Sequence, residues 1–142
     1  MTLRITALQY WSMLGLGLVG LCDAVYLTME HYLDLNPPCY VGSCEVVLTS
    51  AYAVILGVPV AVWGVLYYVS VVAGLLWYLS TLDGRVLKLT LLATVVGLLA
   101  SGYFFLLQAF VIHAWCQYCI LSGLVSLGLF LLAGIVYFQS KR

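Results

Sequence analysis

Charge is scarce in this sequence: five Lys and Arg and five Asp and Glu among 142 residues. The chain is 65% apolar and 7% charged, with a mean hydropathy of +1.17. A soluble domain carries about 25% charge to cover its surface, so these values exclude one and describe an integral membrane protein. No basic run is available to hold a nucleic acid. Histidine is scarce too, with two residues and no ligand pair near the cysteines, which weakens a zinc reading of the thiols. At this length there is no room for a membrane bundle and a soluble domain together, so one domain over residues 1–142 is expected.

The few charges mark the spans. An apolar window runs from Ala7 to Leu27, interrupted only by Asp23. It exceeds the ~7–15-residue core of a cleaved signal peptide and lacks a small-x-small site, so it reads as a retained helix. No charge falls in the 37 residues from Val46 to Leu82, nor in the 52 from Leu89 to Ser140 with His113 neutral. About 20 apolar residues cross a bilayer, so the last stretch holds two spans that turn near His113. The middle stretch is resolved by "GVP" at Gly57–Pro59: a short helix from Glu45 ends there, and a span begins with Pro59 in its first turn. The expected fold is an all-α four-transmembrane-helix bundle, with helices near 7–28, 58–80, 88–112 and 115–138 and a short external half-helix between the first two.

Four spans place both termini and the 81–87 connection on one side. All five basic residues, Arg4, Arg85, Lys88, Lys141 and Arg142, lie there, whereas the other side carries Glu30, Asp34 and Glu45. Basic loops stay in the cytoplasm, so the acidic side faces the periplasm or the exterior of an inner or plasma membrane.

Four of the five cysteines fall on that outer side. Cys39 and Cys44 bracket a short loop in "NPPCYVGSCEVV", stiffened by Pro37 and Pro38. Cys116 and Cys119, in "HAWCQYCI", open the fourth helix on one face. Disulfides persist away from the cytoplasm, and an even thiol count favours pairs. Backbone N–H groups in a first helical turn favour a thiolate. A purely structural bridge between neighbours this close removes little chain entropy, so the second pair reads as redox-active. Two local bridges and a Cys44–Cys116 bridge both remain open.

Weaker patterns have plainer readings. "GLGLVG" at Gly15–Gly20 has the letters of a dinucleotide fingerprint but sits inside a span, where small residues serve close helix packing. Cys22 reads as a packed free thiol. Asp23 is placed about one turn from the outer end, where snorkelling or capping accommodates it. His113, three residues before Cys116, is a possible proton acceptor or simply interfacial.

The layout itself suggests a relay. The loop pair is reachable by a soluble protein and the helix pair lies toward lipid, so electrons passed inward need a lipid-soluble acceptor such as a quinone.

"CEVVLTSAYAVILGVPVAVWG" (Cys44–Gly64), followed by "CQYC", resembles the vitamin K epoxide reductase (VKOR) family, particularly prokaryotic homologues, over nearly the whole chain. The resemblance implies a quinone-dependent thiol–disulfide oxidoreductase. Cys119 would act on the quinone, of ubiquinone, menaquinone or vitamin K type, and Cys116 would close the disulfide with it. Cys44 would relay to Cys116, and Cys39 would meet a thioredoxin-like partner. Ser50 matches the family's hydroxyl residue beside the quinone, and Phe104 and Phe105 are candidates for the pocket wall. No metal is implied. Some homologues carry the thioredoxin-like domain fused behind a fifth helix; this chain ends at Arg142, so a separate external partner is expected. Vitamin-K-recycling members have a Tyr where this chain has Gly123, which weakens epoxide reduction as the activity. The bacterial disulfide-bond protein B type carries its cysteine pairs in the reverse order. From a different class, a structural four-helix protein would use the same disulfides only as loop staples.

Overall fold

The computed structural model describes residues 4–142. Helix α1 spans Ala7–Tyr32 and starts at a capping box, in which the Thr6 hydroxyl accepts from the Gln9 amide at 3.3 Å and Gln9 Oε1 accepts from Thr6 N–H at 3.1 Å. A loop then leads to α2, the single turn Cys44–Leu48. A 3₁₀ turn, Ala51–Ala53, follows, and then a hairpin of β1 (Val54–Ile55) and β2 (Val58–Pro59). Helices α3 (Val60–Thr81), α4 (Gly84–Leu106) and α5 (Gln117–Lys141) complete the chain. Leu107–Ile112 prolongs α4 as a wide π turn.

Four helices are long and apolar enough to cross a membrane, α1, α3, α5 and α4 with its π extension. The architecture is thus the expected all-α bundle, and the chain is a multi-pass membrane protein. The boundaries differ in instructive ways. Helix α1 runs four residues beyond the expected 28, because Met29–Tyr32 keep hydrogen bonding up to the Leu33 amide, which donates to the Met29 carbonyl at 3.0 Å. The stretch expected as one half-helix from Glu45 to "GVP" breaks into three pieces. Leu56 and Gly57 take positive φ, 55° and 77°, and turn the chain into the hairpin. Pro59 consequently sits just before α3 instead of within its first turn.

The helices form a ring in which α1 contacts α3 and α5, and α4 contacts the same two. Helices α3 and α4 are antiparallel across a tight turn, where Leu82 is left-handed and Asp83 Oδ1 accepts from the Arg85 amide at 2.8 Å. At the same end the Gln9 side chain donates to Gln139 at 2.8 Å, and Arg4 N–H donates to Ser140 Oγ at 3.0 Å. Both described termini therefore meet at the basic end of the bundle, opposite Cys39, Cys44, Cys116 and Cys119.

Met13, Val71, Leu75, Leu87, Leu129 and Val136 are fully enclosed in the ring. Large apolar side chains such as Leu66, Leu99 and Phe138 instead cover the outside, as a lipid-facing surface requires. Gly17 and Gly20 of the glycine motif serve packing: a Cβ at Gly17 would meet Val72, and one at Gly20 would overlap the Tyr68 ring. That close approach seats Tyr68 in the core, with its hydroxyl 2.9 Å from the Ser122 carbonyl and 3.2 Å from Ser126 Oγ.

Candidate functional site

Cys39, Cys44, Cys116 and Cys119 gather where the loop before α2 meets the start of α5. Cys39 and Cys44 are joined in a disulfide with Cα atoms 5.9 Å apart, and Cys116 and Cys119 are free thiols. Cys44 and Cys116 are both completely buried and belong to one cluster with Val47 and Ala114; Cys39, Tyr118 and Cys119 pack against it.

Three local features bring the loop down onto α5. Gly42 pairs with Cys116 in an isolated antiparallel bridge, and Ser43 N–H donates to the Trp115 carbonyl at 2.8 Å. A side chain at Gly42 would collide with that carbonyl, and its φ of 95° lies in the left-handed region that glycine tolerates. Gln117, lying between the two cysteines, clamps the loop from below. Its Oε1 accepts from the amides of Tyr40 and Val41, both at 3.1 Å, and its Nε2 donates to the Pro38 carbonyl at 3.2 Å. Tyr118 adds a hydroxyl donor to the same carbonyl at 2.8 Å.

Cys116 is the N-cap residue of α5, so its sulfur stands where a capping oxygen otherwise would. Its own amide is satisfied by Gln108 Oε1 at 2.9 Å. Gln108 is 3% exposed and lies in the π turn, whose wider coil carries it toward α5. A hydrogen bond from the neighbouring Cys119 thiol lowers the Cys116 thiol from its ordinary 9.0 to about 7. Burial opposes this, while the Cys119 and Tyr118 amides at the helix start assist it. Cys119 is half-buried, one turn deeper along α5.

The other sequence candidates are spread around this centre. Ser50 is half-buried at the end of the α2 segment, with its hydroxyl on the Val47 carbonyl at 2.7 Å. Phe104 is half-buried in the last turn of α4. Phe105 is 52% exposed and tilts against Trp115 at 5.1 Å. His113 is exposed and left-handed, with φ 54°, and serves to end the π turn. Cys22 is exposed rather than packed, since it faces out of α1 into a shallow groove of about 560 Å³ against α5. Asp23, lining the same groove, is not near the helix end: the longer α1 leaves it nine residues from Tyr32, and it is 8% exposed.

Sequence reading missed Gly42, Gln108, Gln117 and Tyr118 as parts of the site. Gln108 did carry a signal, being the lone amide side chain between Leu89 and Ile112. Gln117 did not, because a polar residue between two cysteines has no distinct pattern.

A bundle of membrane-crossing helices that holds a disulfide against an ionisable dithiol is built for thiol–disulfide exchange, and its class is that of membrane thiol oxidoreductases. The family model described as the vitamin K epoxide reductase family matches residues 11–134, and the chain belongs to that family. No match was found among curated proteins.

Proposed function

We propose that this protein passes electron pairs from a thioredoxin-like protein outside the cytoplasm, through Cys39/Cys44 and then Cys116/Cys119, to a membrane quinone. The net result is disulfide formation in exported proteins. The observation that supports it best is the Gly42–Cys116 bridge, which seats the loop disulfide on the N-terminus of α5 with Cys44 and Cys116 in one buried cluster.

The exchange runs as two disulfide transfers, each made of two thiolate displacements. A thiolate of the partner attacks Cys39, and the partner leaves oxidised, with Cys39 and Cys44 reduced. Cys44 then attacks Cys116 of a Cys116–Cys119 disulfide and releases Cys119. Attack of Cys39 on Cys44 frees Cys116 and restores the loop disulfide. A Cys39–Cys44 bridge beside free Cys116 and Cys119 is the state at the end of this transfer. A quinone, when bound, accepts two electrons and two protons. Cys119 faces it, being the deeper of the two thiols, and Cys116 closes the disulfide. Ser50, Phe104 and Phe105 lie at the same end of the bundle as the cysteines and are proposed as its surroundings. Phe104 is tied to the pair through Gln108, which holds Cys116 N–H and reaches the Phe104 carbonyl at 3.5 Å.

The bundle is read as one domain in the inner or plasma membrane. Its basic end, with Arg4, Arg85, Lys88 and Lys141, lies in the cytoplasm, and the cysteines lie outside.

The test is quinone reduction by purified protein supplied with a dithiol protein. Cys119→Ala is expected to abolish it, and unchanged turnover would overturn the mechanism. Cys44→Ser is expected to accumulate a mixed disulfide between Cys39 and the soluble partner, whereas loops stapled only for structure would trap nothing.

A further inference from the structure

Asp23 is the one buried acidic residue of the first span, which also holds the half-buried Glu30 near its end, and Asp23 Oδ2 has no hydrogen-bond partner although the side chain is 8% exposed. An unpaired carboxylate at such depth is costly, and ionisable groups retained there usually serve function. The residue lies on the groove between α1 and α5, together with Tyr26 and Tyr118. Tyr118 has two faces: its ring lies 5.4 Å from that of Tyr26, and it also packs against the Cys44–Cys116 cluster. Tyr118 is thus the polar side chain that stands between the Asp23 groove and the thiols.

We propose that Asp23 is the proton store of the dithiol, giving up one proton each time Cys116 and Cys119 are oxidised and regaining it when they are reduced. This rests on the thiol–quinone reading above. With Cys116 present as thiolate, the reduced pair holds two electrons but one proton, whereas the acceptor takes two of each. The Asp23 carboxylic acid supplies the second proton and becomes a carboxylate as the sulfurs close. When the loop dithiol later reduces that disulfide, it releases two protons. One goes to Cys119 and the other returns to Asp23, so Cys116 is again the thiolate and the cycle balances. The ionisable side chains around Asp23 are Cys22 and Tyr26 on α1, with Glu30 bonded to Tyr26 one turn on, Tyr68 on α3, and Cys116, Tyr118 and Cys119 at the start of α5. Asp23 is the only buried carboxyl among them.

The experiment is infrared difference spectroscopy on the full chain in detergent, reduced with a small dithiol minus oxidised, without quinone. A protonated-carboxyl band should appear on reduction, shift when aspartate is ¹³C-labelled, vanish in Asp23→Asn and persist in Asp23→Glu. Absence of the band in the wild type, or its survival in Asp23→Asn, would overturn the proposal. Should Asp23→Asn fold poorly, an Asp34→Asn/Asp83→Asn background leaves Asp23 as the sole labelled aspartate, and the label shift then decides the matter. Quinone reduction by Asp23→Asn is expected to fall on the order of 100-fold with Asp23→Glu largely restoring it, and a wild-type rate in Asp23→Asn would also overturn it. Failure of the wild type to reduce quinone would instead sink the proposed function, while the spectra would still decide whether Asp23 carries the proton.

Discussion

The Gln108 side-chain oxygen accepts the Cys116 amide hydrogen at 2.9 Å, joining the π turn of one helix to the N-cap of the next. Both groups are buried, so this bond fixes where the reactive sulfur stands. Gln108→Leu leaves the amide without a partner, at a cost of about 1–3 kcal/mol. The expected outcome is a lower unfolding midpoint in detergent together with slower Cys116 exchange. Unaltered values for both would show that another group takes over the amide.

Gly42 is expected to tolerate no side chain. Gly42→Ala pushes a methyl group against the Trp115 carbonyl and disfavours the backbone conformation. The Cys39–Cys44 bridge should still form, because both cysteines belong to the loop. Transfer between the loop and Cys116 should slow at least tenfold. Rapid-quench mass tagging of the thiols separates the two effects.

The Cys116 thiol, lowered to about 7 by the Cys119 hydrogen bond, sets a pH dependence. Ultraviolet thiolate absorbance of the reduced protein is expected to titrate near that value and to be lost in Cys116→Ser. Cys119→Ala should move the titration upward, toward 9.0. The folded value lies below the unfolded one. The stabilisation of the reduced fold is therefore complete above the unfolded value near 9 and is lost as pH falls through about 7. Thermal unfolding of reduced protein across that window tests the sign.

Gly20→Ala tests the packing of the first span. The added methyl overlaps the Tyr68 ring, and moving that ring disturbs its hydroxyl contacts with Ser122 and Ser126. Overpacking of this kind costs about 1–3 kcal/mol. Gly15→Ala meets nothing within 4 Å and is expected to be neutral in the same unfolding assay.

Much of the site was legible in the chain. The two cysteine pairs are visible as spacing, and their common end of the bundle follows from counting spans between charges, whereas the choice of bridge was left open and is made by the structure, which joins Cys39 to Cys44. Cys22 and Asp23 were not legible. The first was read as packed and is exposed, and the second was placed near a helix end that lies nine residues further on. Burial depends on which face of α1 meets α5, and a nearly uniform apolar helix carries too little polar contrast to reveal that face.

The sequence alone determined the four spans, the opposition of basic residues and cysteines, and the chemistry available at the cysteine end. Those properties depend on bilayer thickness and the cost of charge within it, and both act along the chain in one dimension. Tertiary structure decided that Gln117 holds the loop some 76 to 79 residues away, that Gly42 abuts Cys116, and that Asp23 shares a groove with Tyr118. Such contacts depend on where separate helices meet in space, and apolar periodicity says little about that when lipid and protein core are equally apolar.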